Sequence, residues 1–129
     1  MSININPITL YQDYIDQVWN KNNPNIVDKY IDPKFVVHLL GIKKDCSGVN
    51  WVKQDLVRIH SQFTNFKITI KKIISQSDCI SAVLDLDAKF DEDFYYMNEI
   101  VIYQIKNDKF IEAWEIGTDW VIEFNNHTN

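Results

Sequence analysis

The 129-residue sequence is poor in the residues that interrupt regular structure, since it contains three Gly and three Pro. This scarcity predicts that most of the chain forms helices and strands. Long apolar runs are also missing, because no stretch reaches the roughly 20 residues that a membrane span needs. The start MSININPITL has neither the basic nor the apolar region of a secretion signal. We therefore expect a cytoplasmic protein with no membrane partner.

Patterns for nucleic acids, metals and cofactors are absent as well. Thirteen Lys and Arg stand against eighteen Asp and Glu, which gives a net charge of -5, and no basic run with interleaved aromatics appears. This composition predicts no nucleic-acid partner. Cys46 and Cys79 form no CxxC pair and are expected to be reduced. The motifs HExxH, GxGxxG and GxSxG and a phosphate-binding glycine loop are missing, so the sequence indicates no cofactor and no metal.

The first half of the chain has the apolar period of helices. Asn-Pro pairs, which favour helix starts, predict a helix over 7–20 and a short one that begins at Pro24 and ends before Asp32, which Pro33 forces out of helical geometry. The β-branched run FVVHLL at 35–40 predicts a strand. Ser47 is expected to cap a third helix, whose apolar stripe runs over 49–63 in steps of three and four.

The second half has period 2. Four long strands are predicted, over 66–74, 79–90, 94–105 and 110–116, and the short turns between them make neighbours antiparallel. The third of these strands is apolar on both faces, so its sheet needs two covers. We expect the helices to be one cover and a second copy of the protein, in a homodimer through the sheet, to be the other.

Hydrophobic residues make up 46% of the sequence, which is enough for the core of a single domain over 1–129. Helices followed by a strongly curved antiparallel sheet define an α+β arrangement with a conical space between the layers. Such a space suits a small hydrophobic ligand.

The order of segments resembles a known family. A helix ending VWN, the strand FVVH, the run QFTNFKITIKKIISQSDCISAVLDL and the final hairpin VIYQIKNDKFIEAWE are similar to SnoaL-like proteins of the nuclear transport factor 2-like superfamily. The resemblance covers about 8–120. It implies a cone-shaped fold with three N-terminal helices on a curved antiparallel sheet, frequent homodimers, and a pocket between helices and sheet. Members include polyketide cyclases, ketosteroid isomerase relatives, dehydratases and binding domains without catalysis, so fold alone does not define function.

The chemistry that the resemblance implies is proton transfer next to a carbonyl, with a pocket carboxylate as base and no metal. The family aspartate follows the final-strand tryptophan by about four residues, which here is Thr118. Asp119 comes one residue later, and a bulge at Gly117 would be needed to turn it inward. The alternative is that Thr118 and Asp119 cap the strand end with local hydrogen bonds.

Two further residues are candidate catalytic groups. His38 occupies a strand position where the resemblance places a pocket histidine, and it is otherwise a hydrogen-bonded histidine at a strand end. Glu99 interrupts an apolar face, so its carboxylate must be paired, neutral or functional. On the concave face Glu99 would be an acid-base group with a raised pKa, and elsewhere it would form a salt bridge.

Aromatic and histidine side chains complete the candidate pocket, although core packing is the ordinary role of each. The candidates are Tyr14, Trp19, Trp51, His60, Tyr103 and Trp114. Two functions remain open at this point. One is a cofactor-independent cyclase, isomerase or dehydratase acting on a hydrophobic carbonyl compound, and the other is a noncatalytic ligand-binding or dimerisation module.

Overall fold

A computed structural model describes residues 5–123, which form three helices and seven strands. Helix α1 spans Pro7–Tyr14, begins at the Asn6 side chain, which accepts a hydrogen bond from the Ile8 backbone, and continues as a π-helical segment over Ile15–Asn20. A 3-10 turn at Pro24–Ile26 leads into α2, Val27–Tyr30. Helix α3 spans Val49–Gln62. None of the helices within 5–123 is long and apolar enough to cross a membrane.

The strands are β1 (Ile31–Leu39), β2 (Lys44–Ser47), β3 (Thr64–Gln76), β4 (Cys79–Phe90), β5 (Asp93–Lys106), β6 (Lys109–Gly117) and β7 (Val121–Ile122). They form one sheet in the order β2-β1-β6-β5-β4-β3, and β7 pairs with the start of β5. The long hairpins β3–β4–β5–β6 are antiparallel, as their short turns predict.

The predicted α+β cone is confirmed, with differences of detail: β1 begins at Ile31 rather than at 35, and β7 was not predicted. The sheet is mixed, because β1 enters from the helical layer and pairs parallel to β6. The segment after Gly41, expected to be only a turn, forms strand β2 along β1. Ser47 therefore lies in a strand, and Gly48, at φ 91°, precedes α3 without a side-chain cap. Pairing with β1 satisfies the backbone hydrogen-bonding groups of β2. A capping geometry at Ser47 would break this pairing.

The core lies between the helices and the concave sheet face. In β4 the predicted inward face is buried, namely Ile80, Ala82, Leu84, Leu86 and Ala88. In β5 the alternation places Glu99 on the same side as the buried Met97 and Val101. Ile100 and Ile102 point to the convex side, where they are 53% and 41% exposed.

Candidate active site

A cavity opens between α1, the π-helical segment, α3 and the concave sheet face. It encloses about 550 Å³ of space, a value that includes the open solvent at its mouth. Aromatic side chains dominate the wall, and they are Tyr11, Tyr14, Trp19, Phe35, Trp51, Phe66 and Tyr103. The ionisable acids of the wall are Asp55, Glu99 and Glu115, and none of the described lining residues is basic.

Strand register brings the two glutamates together. Glu115 of β6 lies opposite Val101 of β5, and Gly117 lies opposite Glu99. Glu99 and Glu115 are therefore diagonal neighbours on one sheet face, a spacing that long side chains can bridge. Tyr103, the next inward residue of β5 after Val101, donates its hydroxyl hydrogen to Glu115 Oε2 at 2.6 Å. Glu115 therefore lies between Tyr103, which donates a hydrogen bond to it, and Glu99, its diagonal neighbour on the sheet.

Burial makes both carboxyls poor acids. Desolvation, followed by the nearby charges of Glu115 and Asp55, raises the pKa of Glu99 to about 8. Desolvation also raises the pKa of Glu115, but the hydrogen bond from Tyr103 opposes this shift because it stabilises the charged form. Since the two carboxyls interact, they titrate as a pair, in which Glu99 holds its proton at neutral pH.

Helix α3 contributes the third acid. Asp55 follows Trp51 by one helical turn, so both side chains reach the cavity from the same helix face. Arg58, one turn later, forms an ion pair with the Asp55 carboxylate, yet its own side chain is 63% exposed and does not line the cavity. The acid of α3 therefore faces the ligand space while its counterion lies outside.

The π-helical segment fixes one wall. The Asn20 amide donates to the Ile68 carbonyl at 2.9 Å and accepts from the Ile68 backbone N–H at 2.7 Å, so it continues the hydrogen bonding of edge strand β3. His60 Nε2 lies 2.6 Å from the Trp19 carbonyl oxygen. These contacts hold Trp19 at the cavity wall. In other proteins, too, π-helical turns are frequent at functional sites.

Gly117 leaves room for this arrangement. A Cβ at Gly117 would lie 2.7 Å from Met97 Cε and 3.2 Å from Glu99 Cγ. A larger residue would therefore displace the end of the Met97 side chain and press on Glu99 Cγ. The glycine is explained by the close approach of the β5 side chains, since its backbone is not in the left-handed region.

Of the three candidate catalytic residues, only Glu99 lines the cavity. Asp119 is exposed between β6 and β7 and does not line it. The extra residue of β6 lies between Phe110 and Glu112, where the β5–β6 register shifts, and the register then runs unbroken to Gly117. Thr118 bonds to the Asn98 backbone at both its N–H and its hydroxyl, which ends the strand.

His38 and Trp114 lie on the convex side of the sheet. The two rings stack with centroids 5.4 Å apart. His38 Nδ1 is 2.8 Å from Asp45 Oδ1, and Nε2 is 2.6 Å from Glu112 Oε2. These two carboxylates raise the pKa of His38 above its usual 6.5. The histidine thus connects β2, β1 and β6 and has no contact with the cavity.

Among the predicted lining residues, Tyr14, Trp19, Trp51 and Tyr103 lie in the cavity wall. His60 lies behind it, with its ring against Phe66 at 5.2 Å.

The residues that sequence reasoning missed are Asp55, Glu115 and Tyr11. Asp55 had a usable signal, its four-residue spacing from Trp51. Glu115 had a weaker one, because its side follows from alternation with Ala113 only after the bulge before Glu112 is known.

The fold and the cavity define a class of small α+β cone proteins in which acidic groups lie in the wall of an aromatic pocket. The chain belongs to the SnoaL-like polyketide cyclase family, whose family model matches residues 9–119. No protein with a curated description matches the chain.

Solved structures share the fold at low sequence identity. IdmH from Streptomyces antibioticus has a TM-score of 0.77 at 13% identity, over 88% of this chain and 92% of that one. A SnoaL-like polyketide cyclase from Agrobacterium tumefaciens has a TM-score of 0.77 at 14% identity, over 90% and 94%. An LEH-like epoxide hydrolase from M. tuberculosis has a TM-score of 0.73 at 11% identity, over 87% and 82%. At these identities the likeness concerns the fold alone.

Proposed function

We propose that the protein is a cofactor-independent cyclase, isomerase or dehydratase that transfers protons next to a carbonyl of a small hydrophobic ligand. The observation that carries the proposal is the pair of neighbouring carboxyl groups, Glu99 and Glu115, in the wall of the aromatic cavity. Acid-base catalysis at neutral pH needs one group that holds a proton and one that accepts it. Two partly buried carboxyls with different surroundings supply both.

Glu115 is the base in this proposal. The hydrogen bond from Tyr103 favours its ionised form, so Glu115 loses its proton before Glu99 does. As a carboxylate it removes a proton from the carbon next to the carbonyl, and the electron pair of that C–H bond moves toward the carbonyl oxygen.

Glu99 is the acid. Its pKa of about 8 keeps it protonated at neutral pH. It donates a hydrogen bond, and then the proton, to the carbonyl oxygen as negative charge develops there. The enol that results is reprotonated at carbon, loses a leaving group, or attacks a second carbonyl, which correspond to isomerase, dehydratase and cyclase outcomes. His38 and Asp119 have no part in this scheme, because neither side chain lines the cavity.

We also propose a homodimer through the sheet. Support comes from the convex face, where Ile100 of β5 neighbours Ile116 of β6, and Ile102 neighbours Trp114. Ile100, Ile102 and Ile116 are 53%, 41% and 47% exposed. Adjacent exposed apolar residues of this size are typical of an interface.

The catalytic proposal is tested with 2-tetralone, a two-ring ketone with enolisable hydrogens. Deuterium incorporation next to its carbonyl is followed by NMR in heavy water. We expect the protein to accelerate exchange, and Glu115→Gln to reduce the acceleration by about 10²- to 10⁴-fold, the usual contribution of a general base. Glu99→Gln is expected to lower the rate less, because the amide still donates a hydrogen bond.

Two variants serve as controls. Glu112→Gln makes the same change on β6 but on the convex side, and Asp119→Asn neutralises the exposed carboxylate outside the cavity; both are expected to keep the exchange rate. If tetralone binds and no exchange occurs, the protein is a noncatalytic binding module. If Asp119→Asn abolishes exchange while Glu115→Gln does not, the assignment of the base is wrong.

A further inference from the structure

The charge on the cavity wall has one sign. Asp55, Glu99 and Glu115 come from α3, β5 and β6, and they converge closely enough that each of the other two raises the pKa of Glu99. The described wall contains no Lys, Arg or His, and Arg58 reaches Asp55 from outside. A ligand inside therefore meets three acids without a counterion of their own in the cavity.

The Tyr11 hydroxyl and the Glu99 carboxyl, both in the wall, have no hydrogen-bond partner within residues 5–123. The Tyr11 side chain is 1% exposed and its hydroxyl makes no hydrogen bond. Every fully enclosed polar side-chain atom of the described chain is hydrogen bonded, so the Tyr11 hydroxyl must open on the cavity. The Glu99 carboxyl likewise makes no hydrogen bond. Buried polar groups without partners are costly, and a ligand that bonds to them removes that cost.

We propose that this cavity takes a hydrophobic molecule that carries a protonated amine. The ammonium group lies among the carboxyls of Asp55, Glu99 and Glu115, and it donates to the Glu99 carboxyl, which has no hydrogen-bond partner among residues 5–123. The apolar part packs against the aromatic wall, which includes Trp19 and Trp51. The inference rests on the proposed function in placing the ligand in this cavity, and it concerns binding: a hydrophobic amine that displaces the Glu99 proton would occupy the cavity in place of the carbonyl substrate.

The same wall disfavours an anionic ligand. A carboxylate in the cavity would repel the acids at short range, and no basic side chain in the described wall would compensate it. The net charge of -5 adds a weaker repulsion at long range. The cavity therefore selects by charge as well as by shape.

Binding of a cation is linked to proton release. An ammonium group stabilises the ionised carboxyls, so it lowers the pKa of Glu99 and Glu115 from their raised values. At neutral pH, below the pKa of about 8 of Glu99, the ligand must then displace a proton. Affinity for an amine is expected to rise as pH approaches that value. The groups that face Glu99 are Asp55 of α3, Glu115 of β6, and the tyrosines Tyr11 of α1 and Tyr103 of β5.

The test uses three probes with one two-ring skeleton: 2-aminotetralin, which is cationic, 2-tetralol, which is neutral, and tetralin-2-carboxylate, which is anionic. Affinities are measured by calorimetry in two buffers with different heats of ionisation, which counts the protons released. We expect the amine to bind roughly tenfold or more tightly than the alcohol, as a charged hydrogen bond in a buried site implies. The carboxylate is expected to bind weakest, and only the amine should release protons.

Variants locate the charge selection. Glu99→Gln with Glu115→Gln is expected to bring the affinity of the amine down to that of the alcohol, while Glu112→Gln on the convex side keeps the preference. The proposal is overturned if the carboxylate binds as tightly as the amine, or if the amine and the alcohol bind equally without proton release. Both of these outcomes are measured on the unmodified protein, so they decide the proposal even if the double variant fails to fold.

The failures of the two proposals are distinguishable. If the alcohol binds and tetralone exchanges deuterium but the amine has no advantage, the charge selection is wrong and the catalytic proposal stands. If the amine binds preferentially and no exchange occurs, the ligand class stands without catalysis. If none of the three probes binds, both proposals are overturned together.

Discussion

Tyr103 sets the protonation state of the proposed base. Its hydroxyl lies 2.6 Å from Glu115 Oε2 and favours the ionised carboxylate against the desolvation that burial imposes. The tyrosine itself is 5% exposed, so the bond is largely shielded from bulk water. Its loss would leave Glu115 with a higher pKa and fewer molecules in the reactive form at neutral pH.

We therefore expect Tyr103→Phe to slow deuterium exchange at neutral pH by roughly tenfold, equivalent to about 1.4 kcal/mol. The pH at which exchange sets in should move upward, because the base must be ionised to act. The measurement is the pH–rate profile. Tyr96→Phe is the matched control on the same strand, since the Tyr96 hydroxyl bonds to Asn98 and does not line the cavity. An unshifted profile in Tyr103→Phe would show that the hydrogen bond has only a structural role.

At the scale of the elements, the sequence predicted strands far better than the side chains that converge between them. β4 was predicted over 79–90 and forms over Cys79–Phe90, because its alternation is regular and local. The inward position of Glu115 depends on one extra residue in β6 and on pairing with β5. A short stretch of sequence shows neither the extra residue nor the strand pairing. The sequence therefore indicated Glu99 and the aromatic wall as candidates, but not Glu115.

β2 is held to the sheet by a charged contact that titrates. His38 lies between Asp45 of β2 and Glu112 of β6, and these carboxylates raise its pKa in the folded protein above the usual 6.5. Folding then favours the protonated histidine. The stabilisation is complete below about pH 6.5, the unfolded value, and it is lost as pH rises through the raised pKa.

His38→Gln should remove this pH dependence. Urea unfolding is measured across that window for both proteins, and their difference in unfolding free energy isolates the histidine. We expect the difference to be largest at acidic pH and to shrink as pH rises. His60→Gln is the control, because His60 contacts a backbone carbonyl and has no carboxylate partner among the described residues. A difference that grows with pH would contradict the assignment.

On the scale of the whole molecule, the two faces of the sheet have separate roles. The concave face carries the cavity and its acids, and the convex face carries the apolar patch formed by Ile100, Ile102, Trp114 and Ile116. A dimer through the convex face would cover this patch and leave the cavity open. Under the two proposals, catalysis within one subunit and assembly between subunits would then be independent.

Ile102→Glu tests the proposed dimer, because it places a charge in the centre of the patch, where desolvation would be costly. Sedimentation equilibrium should give twice the chain mass of 15.3 kDa for the unmodified protein and a single chain mass for the variant. Val57→Glu is the matched control, since Val57 is 52% exposed on α3 and lies outside the sheet. An unmodified protein of single chain mass would refute the dimer. Because the patch and cavity lie on opposite faces, a folded monomeric variant should still exchange tetralone.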